Sequence, residues 1–317
     1  MLDSFGREIN YLRLSLTDRC NFRCRYCMPS EGVPKLQHQD MLRLEELFEI
    51  VRIFVTRLGF AKVRVTGGEP LVRRGAIPFL KSLHLIPGIR DLSLTTNGFY
   101  LAEAAAELHA SGFGRVNISL DTLRADRFRK ITGVDGLHRV LEGIEAARAA
   151  GFAPIKINTV AIPEIMDEVA DLVAFGVEKG LQIRFIELMP VRSGASGTYI
   201  SSDRVREILA SRYRLDPLAR DGDPSAAKLY RIDGTEATCG FITSISHPFC
   251  DSCNRIRMRA DGKLKPCMAS SLSHDVMPFV RPELRPEALE AFLRESVFYK
   301  RRCRGDYEID AMSAFGG

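Results

Sequence analysis

Six short segments of the chain alternate between apolar and polar residues, and longer amphipathic stretches separate them. The six segments are Tyr11–Thr17, Lys62–Thr66, Asp91–Thr96, Arg115–Asp121, Ile155–Ala161 and Gln182–Glu187. The stretches with helical periodicity, which end close to a glycine, are Leu44–Leu58, Leu101–Ala110, Gly136–Ala150 and Pro163–Lys179. Strands that alternate with helices indicate an α/β fold with a parallel sheet, and six such units predict an incomplete barrel of the TIM type.

The alternation also predicts what lies inside the barrel. Buried parallel strands are normally apolar almost throughout, but five of these strands carry a polar or cationic residue at every second position. Strands with one face in solvent also alternate in this way, but solvent exposure is a poor explanation for five strands at once. Period two puts one set of side chains on each face, so the polar set would line the interior. Its cationic members are Arg13, Lys62, Arg64, Lys156 and Arg184. Burying them is costly unless an anion fills the interior, so we expect a polyanionic ligand, best a phosphate compound.

The pattern changes after about residue 190. Ser202–Tyr213 is predicted to be a capped helix, Leu218–Ala227 is polar and rich in turn residues, and Lys228 begins a β-rich stretch. A further helix is predicted over Pro286–Arg301. We therefore divide the chain into a partial barrel, residues 1–227, and a small β-rich C-terminal extension, residues 228–317.

Composition limits the classes of function. The chain has 317 residues, of which 45% are hydrophobic and 27% charged, so it can bury a large core. Its net charge of +5 suits an anionic small molecule, and without a long Lys/Arg run we expect no nucleic-acid partner. The sequence shows neither an apolar run of membrane-spanning length nor a signal peptide, so we expect a cytoplasmic protein without membrane contact.

The first of two cysteine trios is Cys20, Cys24 and Cys27, with the spacing C-x3-C-x2-C. Closely spaced thiolates hold iron–sulfur clusters, and a four-iron cluster with three protein ligands keeps one iron open for chemistry. Zinc or a buried thiol cluster would explain the spacing alone. The trio follows the first strand, at the end of the sheet where α/β barrels place active sites.

The second trio is Cys250, Cys253 and Cys267. Asp261-Gly262 predicts a hairpin turn that would bring Cys267 back toward the other two. Between them Arg255, Arg257 and Arg259 would share one strand face, which suits recognition of an anion or a purine. A solvated basic strand face is the alternative.

These motifs together resemble a known family. The first trio, with Tyr26 inside it and Gly67-Gly68-Glu69-Pro70 after it, resembles the radical S-adenosylmethionine (SAM) superfamily. The second trio, the run Cys253-Asn254-Arg255-x-Arg257 and the terminal Gly316-Gly317 resemble one branch of it, the GTP 3′,8-cyclase family of molybdenum cofactor biosynthesis. The resemblance covers nearly the whole chain. Two features depart from the family pattern: Arg259, and the loop that follows Glu187. Their roles stay open.

The resemblance implies a set of ligands for each group. Two 4Fe-4S clusters would be held by Cys20, Cys24 and Cys27 and by Cys250, Cys253 and Cys267. SAM would bind the open iron of the first cluster and contact Tyr26, Gly68, Thr95, Ser119 and Met189. GTP would face the second cluster and contact Arg13, Arg64, Lys156, Arg255 and Arg257, with Lys62 and Arg184 joining them on the triphosphate. Gly316 and Gly317 would reach into the active site.

The resemblance also implies the reaction, a radical cyclisation of GTP to (8S)-3′,8-cyclo-7,8-dihydroguanosine 5′-triphosphate. An electron from the first cluster cleaves SAM, the 5′-deoxyadenosyl radical removes the ribose 3′ hydrogen, and C3′ then attacks C8 of guanine. We expect a flavodoxin- or ferredoxin-like electron donor and a downstream cyclic pyranopterin monophosphate synthase. A homodimer is possible. The alternatives are a peptide-modifying radical SAM enzyme with an auxiliary cluster, and a non-enzymatic protein with one four-cysteine zinc site.

Overall fold

The computed structural model describes residues 1–29, 31–32, 34–190, 198–219 and 226–302. The six predicted strands are present and form the centre of one sheet. They are β1 (Tyr11–Ser15), β2 (Lys62–Thr66), β3 (Asp91–Thr96), β4 (Arg115–Ser119), β5 (Ile155–Ala161) and β6 (Gln182–Glu187). Each pairs in parallel with the next. The first and fourth end earlier than predicted, at Ser15 and Ser119, so the residues after them belong to the loops at the carboxyl edge.

Helices connect the strands and cover the outer face of the sheet. They are α1 (Leu44–Thr56), α2 (Ala76–Leu83), α3 (Leu101–Ala110), α4 (Ala125–Thr132), α5 (Leu137–Ala149), α6 (Val169–Lys179) and α7 (Ser202–Ala210). The sequence pattern did not predict α2 and α4, which are only eight residues long. The helix predicted over Pro163–Lys179 is a 3-10 turn at Pro163–Ile165 followed by α6. The helices pack on apolar strand residues such as Leu12, Leu14 and Val63, which are completely buried.

The C-terminal segment adds strands to both edges of this sheet. On one side β9 (Thr238–Ile242) pairs in parallel with β6, followed by β8 (Lys228–Ile232) and β7 (Leu215–Pro217). On the other side β10 (Arg255–Met258) pairs in parallel with β1, followed by β11 (Lys263–Lys265) and β12 (His274–Asp275). The six-unit barrel is therefore flanked by two further parallel strands. The proposed division at residue 228 remains a prediction, and the two parts share one sheet.

The hairpin predicted at Asp261-Gly262 is present. Strands β10 and β11 pair in antiparallel register, and Gly262 has the positive φ of 76° that this turn requires. Two helices complete the described chain, α8 (Met277–Val280) and α9 (Pro286–Phe298), the second ending three residues earlier than the predicted Arg301. Within the described residues, no helix has both the length and the apolar composition needed to cross a bilayer.

Gly68 lies where two loops meet at the carboxyl edge, so its substitution tests this packing. Its N–H donates to the Thr17 carbonyl at 2.7 Å, and a Cβ at this position would collide with the Arg19 carbonyl. We expect Gly68→Ala to lower the free energy of unfolding by about 1–3 kcal/mol, the usual cost of overpacking. Gly114→Ala is the control, because a Cβ there meets no described atom within 4 Å. Urea unfolding of both apoproteins checks this, and equal losses would contradict it.

Candidate active site

A cavity opens at the carboxyl end of the parallel strands, beside the first cysteine trio. Its lining includes Cys20, Cys24 and Cys27. It also includes all five residues that the resemblance assigns to SAM, namely Tyr26, Gly68, Thr95, Ser119 and Met189. The fold therefore gathers around one cavity residues that lie far apart in the sequence. We call this the carboxyl-edge cavity.

The first trio lies in largely apolar surroundings. Its three cysteines are free thiols, and a turn in which Cys27 N–H donates to the Cys24 carbonyl at 2.8 Å joins two of them. Burial raises the pKa of Cys20 to about 11 and that of Cys24 well above its ordinary value. Such thiols ionise readily only when a metal replaces the proton. The donor set therefore fits an iron–sulfur cluster, with Cys20, Cys24 and Cys27 as its ligands.

A zinc site and a four-iron cluster place different demands on their cysteine ligands. A zinc ion requires four ligands that converge on one point. Among the described residues, no group of three or more His, Cys, Asp or Glu side chains is arranged to hold a metal ion. The cysteine ligands of a four-iron cluster bind separate irons and need not converge in this way.

Glu69, in the loop after β2, is hydrogen-bonded to two residues that line the carboxyl-edge cavity, Thr96 and Asn97. Its buried carboxylate accepts hydrogen bonds from Leu71 N at 3.0 Å, Thr96 Oγ1 at 2.8 Å and Asn97 N at 2.6 Å. Burial raises the pKa of Glu69 to about 7, against the effect of these donors. The residue ties the end of β2 to the end of β3. In the sequence this segment supported the family resemblance, and no role was assigned to Glu69.

Asp121 is a second residue whose role the sequence did not predict. Tyr26 Oη donates to Asp121 Oδ2 at 2.6 Å, and Val160 N donates to Oδ1 at 2.8 Å. Burial raises the pKa of Asp121 to about 6, although both hydrogen bonds lower it. The carboxylate thereby fixes the cysteine loop to the ends of β4 and β5. The signal available in the sequence was an acidic residue at the carboxyl end of a predicted strand.

A second cavity, which we call the cationic cavity, lies nearer the amino ends of the strands. The basic residues in its lining are Arg13, Lys62, Arg64, Arg115, Lys156, Arg184, Arg255 and Arg257. The one carboxylate in the described lining is Asp91, which pairs with Arg115. All seven residues predicted to contact GTP are present, and only Arg115 was missed. Thr95, Asn158, Ile186 and Met189 line both cavities, so the two adjoin.

The cations of this cavity repel one another across neighbouring strands. Arg13 lies in register with Arg64 on β2 and with Arg257 on β10. Burial and then the neighbouring arginines lower the pKa of Arg13 well below its ordinary value. Burial likewise lowers the pKa of Arg257 to about 10 and that of Arg184 to about 9. An anion in the cavity would relieve this repulsion.

Several buried polar atoms at the β10 side of the cavity lack partners. Arg255 Nε, Arg257 Nε and Asn254 Oδ1 have no hydrogen-bond partner among the described residues. Buried polar groups are almost always paired, so such orphans indicate a ligand. The two nitrogens donate and the oxygen accepts, which suits a ligand that carries acceptors and a donor, as a purine base does.

The second trio lies beside this cavity, in different surroundings from the first. Cys253 N–H donates to the Cys250 carbonyl at 3.2 Å. Burial raises the pKa of Cys253, but Arg255, Lys300 and Arg257 outweigh it and bring the pKa to about 6. This lowered pKa favours the thiolate form of Cys253, which is the form that binds metals. Cys267 returns through the β10–β11 hairpin, as predicted.

Arg259 does not join the other two arginines of this run, contrary to the expectation that all three share a strand face. β10 ends at Met258, and Arg259 Nη2 lies 2.8 Å from Asp261 Oδ2. The described lining of the cationic cavity does not include it. Gly316, Gly317 and residues 191–197 lie outside the described residues, so the predicted role of the Gly-Gly terminus stays a prediction.

Two family models together match most of the chain. The model described as the radical SAM superfamily matches residues 14–176. The model described as Molybdenum Cofactor Synthesis C matches residues 181–304. The fold and the cysteine-lined cavity at its carboxyl edge are therefore those of a radical SAM protein.

Similar proteins narrow this class. A GTP 3′,8-cyclase of Geobacter sulfurreducens is 44% identical over 326 residues, which cover 100% of this chain and 99% of the relative. One of Peptoclostridium acidaminophilum is 43% identical, covering 95% of this chain and 96% of the relative. The chain belongs to the GTP 3′,8-cyclase family. Among solved structures, Streptococcus suis SuiB matches with a TM-score of 0.64 at 15% identity over 92% of this chain and 67% of SuiB, which confirms the fold alone.

The Tyr26–Asp121 hydrogen bond predicts a pH-dependent loss of stability. Burial raises the pKa of Asp121 to about 6. The contribution of Asp121 to the free energy of unfolding is therefore complete below about pH 4 and is lost as pH rises through about 6. Tyr26→Phe removes a donor to the ionised carboxylate and raises that pKa further. We expect it to cost about 1–3 kcal/mol at about pH 8, and less at about pH 4.

Urea unfolding of the apoprotein at the two pH values measures this difference. Tyr299→Phe is the control, because Tyr299 is 60% exposed. A Tyr26→Phe loss that is the same at both pH values would contradict the assigned pKa of Asp121.

Proposed function

We propose that the chain converts GTP to (8S)-3′,8-cyclo-7,8-dihydroguanosine 5′-triphosphate, with two 4Fe-4S clusters and SAM as cofactors. The single observation that carries the proposal is the pair of adjoining cavities. One is lined by the first cysteine trio, and the other is lined by eight basic residues and lies beside the second trio. A radical formed in the first can thus reach a nucleotide held in the second.

The carboxyl-edge cavity is the SAM site in this proposal. Cys20, Cys24 and Cys27 would hold the first cluster and leave one iron open for SAM. When bound, these groups supply a one-electron abstraction of hydrogen from the substrate. The chain's own part is to position these groups. Glu69 holds Thr96 and Asn97 in the lining of the cavity, and Asp121 holds Tyr26 there.

The cationic cavity is the GTP site. Its basic residues neutralise the triphosphate, and the row formed by Arg64, Arg13 and Arg257 loses its mutual repulsion when the anion binds. The unpartnered atoms of Arg255, Arg257 and Asn254 would contact guanine, beside the cluster on Cys250, Cys253 and Cys267. Guanine then lies toward β10 and the phosphates toward Lys62, Lys156 and Arg184.

The remaining assignments follow from the same reaction. A small flavin or iron–sulfur protein, such as a flavodoxin or ferredoxin, would donate two electrons per turnover: one for the cleavage of SAM and one that, with a proton, reduces the nucleotide radical left after the C3′–C8 bond forms. The product would pass to a cyclic pyranopterin monophosphate synthase, as the first step of molybdenum cofactor biosynthesis in the cytoplasm. Residues 1–227 would form the SAM half and residues 228–317 would bring the second cluster, with Gly316 and Gly317 entering the active site. The eight basic residues argue against a peptide substrate, which has no comparable charge.

Anaerobic turnover tests the proposal. Reconstituted protein with GTP, SAM and a reductant should yield 5′-deoxyadenosine and the cyclised nucleotide in equal amounts, measured by chromatography and mass spectrometry. If GTP stayed intact while 5′-deoxyadenosine accumulated, GTP would not be the substrate.

Arg257→Ala tests the placement of the nucleotide. Loss of one partner from a buried, charge-assisted contact should weaken GTP binding by about thirtyfold or more, that is by roughly 2 kcal/mol or more. SAM cleavage without cyclisation should remain, because Arg257 lies outside the described lining of the carboxyl-edge cavity. Arg259→Ala is the matched control, since Arg259 pairs with Asp261. The GTP dissociation constant by equilibrium dialysis decides, and equal effects of the two variants would refute the placement.

A further inference from the structure

Arg7 is buried and lines neither cavity in the described structure, yet it connects three distant parts of the chain. It is 8% exposed. Its Nη1 donates to the carbonyls of Cys250 at 2.8 Å and Arg302 at 3.0 Å, and its Nη2 to those of Arg301 at 2.7 Å and Lys300 at 3.1 Å. Its Nε donates to Asp3 Oδ2 at 2.7 Å. All three guanidinium nitrogens are thus engaged.

Asp3 holds this guanidinium in place. Its other oxygen, Oδ1, accepts from Phe5 N at 3.0 Å and from Arg7 N at 2.9 Å, so residues 3–7 form a closed turn. The Asp3 carboxylate is 4% exposed and compensates the buried charge of Arg7. The turn therefore presents Arg7 to the four carbonyls in one orientation.

Lys300 continues the connection to the other end of the second trio. It is 2% exposed, and its Nζ donates to the carbonyl of Pro266, the residue before Cys267. Arg7 holds the Lys300 backbone, and the Lys300 side chain holds the Pro266 backbone. A series of hydrogen bonds thus runs from the Cys250 carbonyl through Arg7 and Lys300 to the Pro266 carbonyl, one residue before Cys267.

We infer that Arg7 and Lys300 are positioning residues of the second cysteine trio, holding Cys250 and Cys267 at the separation that a shared cluster requires. Cys250 lies in a 3-10 turn and Cys267 follows a hairpin, so local chain geometry alone does not fix their distance. A rigid cluster binds best to ligands that are already in place. The inference rests on the proposed function, because it presupposes a cluster on this trio.

A general role in holding the fold together is the competing explanation, and Arg281 allows the two to be separated. Its guanidinium donates to the carbonyl of Met41 at 2.7 Å and, through Nε and Nη2, to both oxygens of Glu46 at 2.8 Å. It therefore joins the N- and C-terminal parts of the chain as Arg7 does, but none of its described contacts is to a cysteine. Arg281→Ala is the matched control.

The experiment uses the full chain with Cys20, Cys24 and Cys27 changed to alanine, so that only the second trio can bind a cluster. After anaerobic reconstitution with iron and sulfide, this parent should hold about four irons per chain. Adding Arg7→Ala or Lys300→Met should at least halve the iron content and alter the electron paramagnetic resonance signal of the reduced cluster. Adding Arg281→Ala should change neither.

Each other outcome decides against the inference in a distinct way. A parent that binds no iron overturns the second cluster of the proposed function and the inference with it. A parent that binds iron equally well with Arg7→Ala and Lys300→Met overturns the inference alone. If Arg7→Ala and Arg281→Ala lower the iron content of the parent equally, Arg7 has only a general structural role. If circular dichroism shows that Arg7→Ala is unfolded, Arg7→Lys and Lys300→Met give the same test, since each keeps the bulk of its side chain.

Discussion

Repulsion among buried cations is the constraint on which this structure depends. Parallel pairing sets Arg64, Arg13 and Arg257 side by side on β2, β1 and β10, at the strand spacing of about 4.8 Å. The described lining offers a single carboxylate, Asp91, and Arg115 already occupies it. An anionic ligand would lower the electrostatic cost of placing these cations side by side. Substrate binding and the stability of the barrel interior are two aspects of the same charge balance.

The two cysteine trios show how one fold can prepare similar ligands for different tasks. The first trio is desolvated, and burial raises the pKa of Cys20 to about 11. The second trio lies among basic groups that outweigh burial and bring the pKa of Cys253 to about 6. The surroundings of a cluster influence its reduction potential. In the proposed function, the desolvated first trio would hold the electron-donating cluster, and the second trio, among basic groups, would hold the substrate-facing one.

Much of the fold and the site could be predicted because each rests on a repeating local pattern. Alternation along five strands revealed the cationic interior, and the cysteine spacings revealed both trios. The parallel pairing of β9 with β6 and of β10 with β1 was not predicted, since these strands are five and four residues long and their partners lie far away in the sequence. Glu69, Asp121 and Arg7 were missed for another reason. They act on backbone groups or on residues distant in sequence, and such partners become known only once the chain is folded.

The attachment of β9 and β10 to opposite sides of the sheet has a consequence for how the chain is made. Synthesis delivers β1 to β6 first, and until the last third of the chain emerges β1 and β6 present unpaired strand edges. Such edges pair readily with other chains, and exposed β surface is prone to aggregate during folding. The segment that brings the second trio thus also acts as an edge cap. A chain interrupted near residue 228 would lose more than a cluster. Its sheet would keep two unpaired strand edges, and its interior would keep a dense group of basic residues.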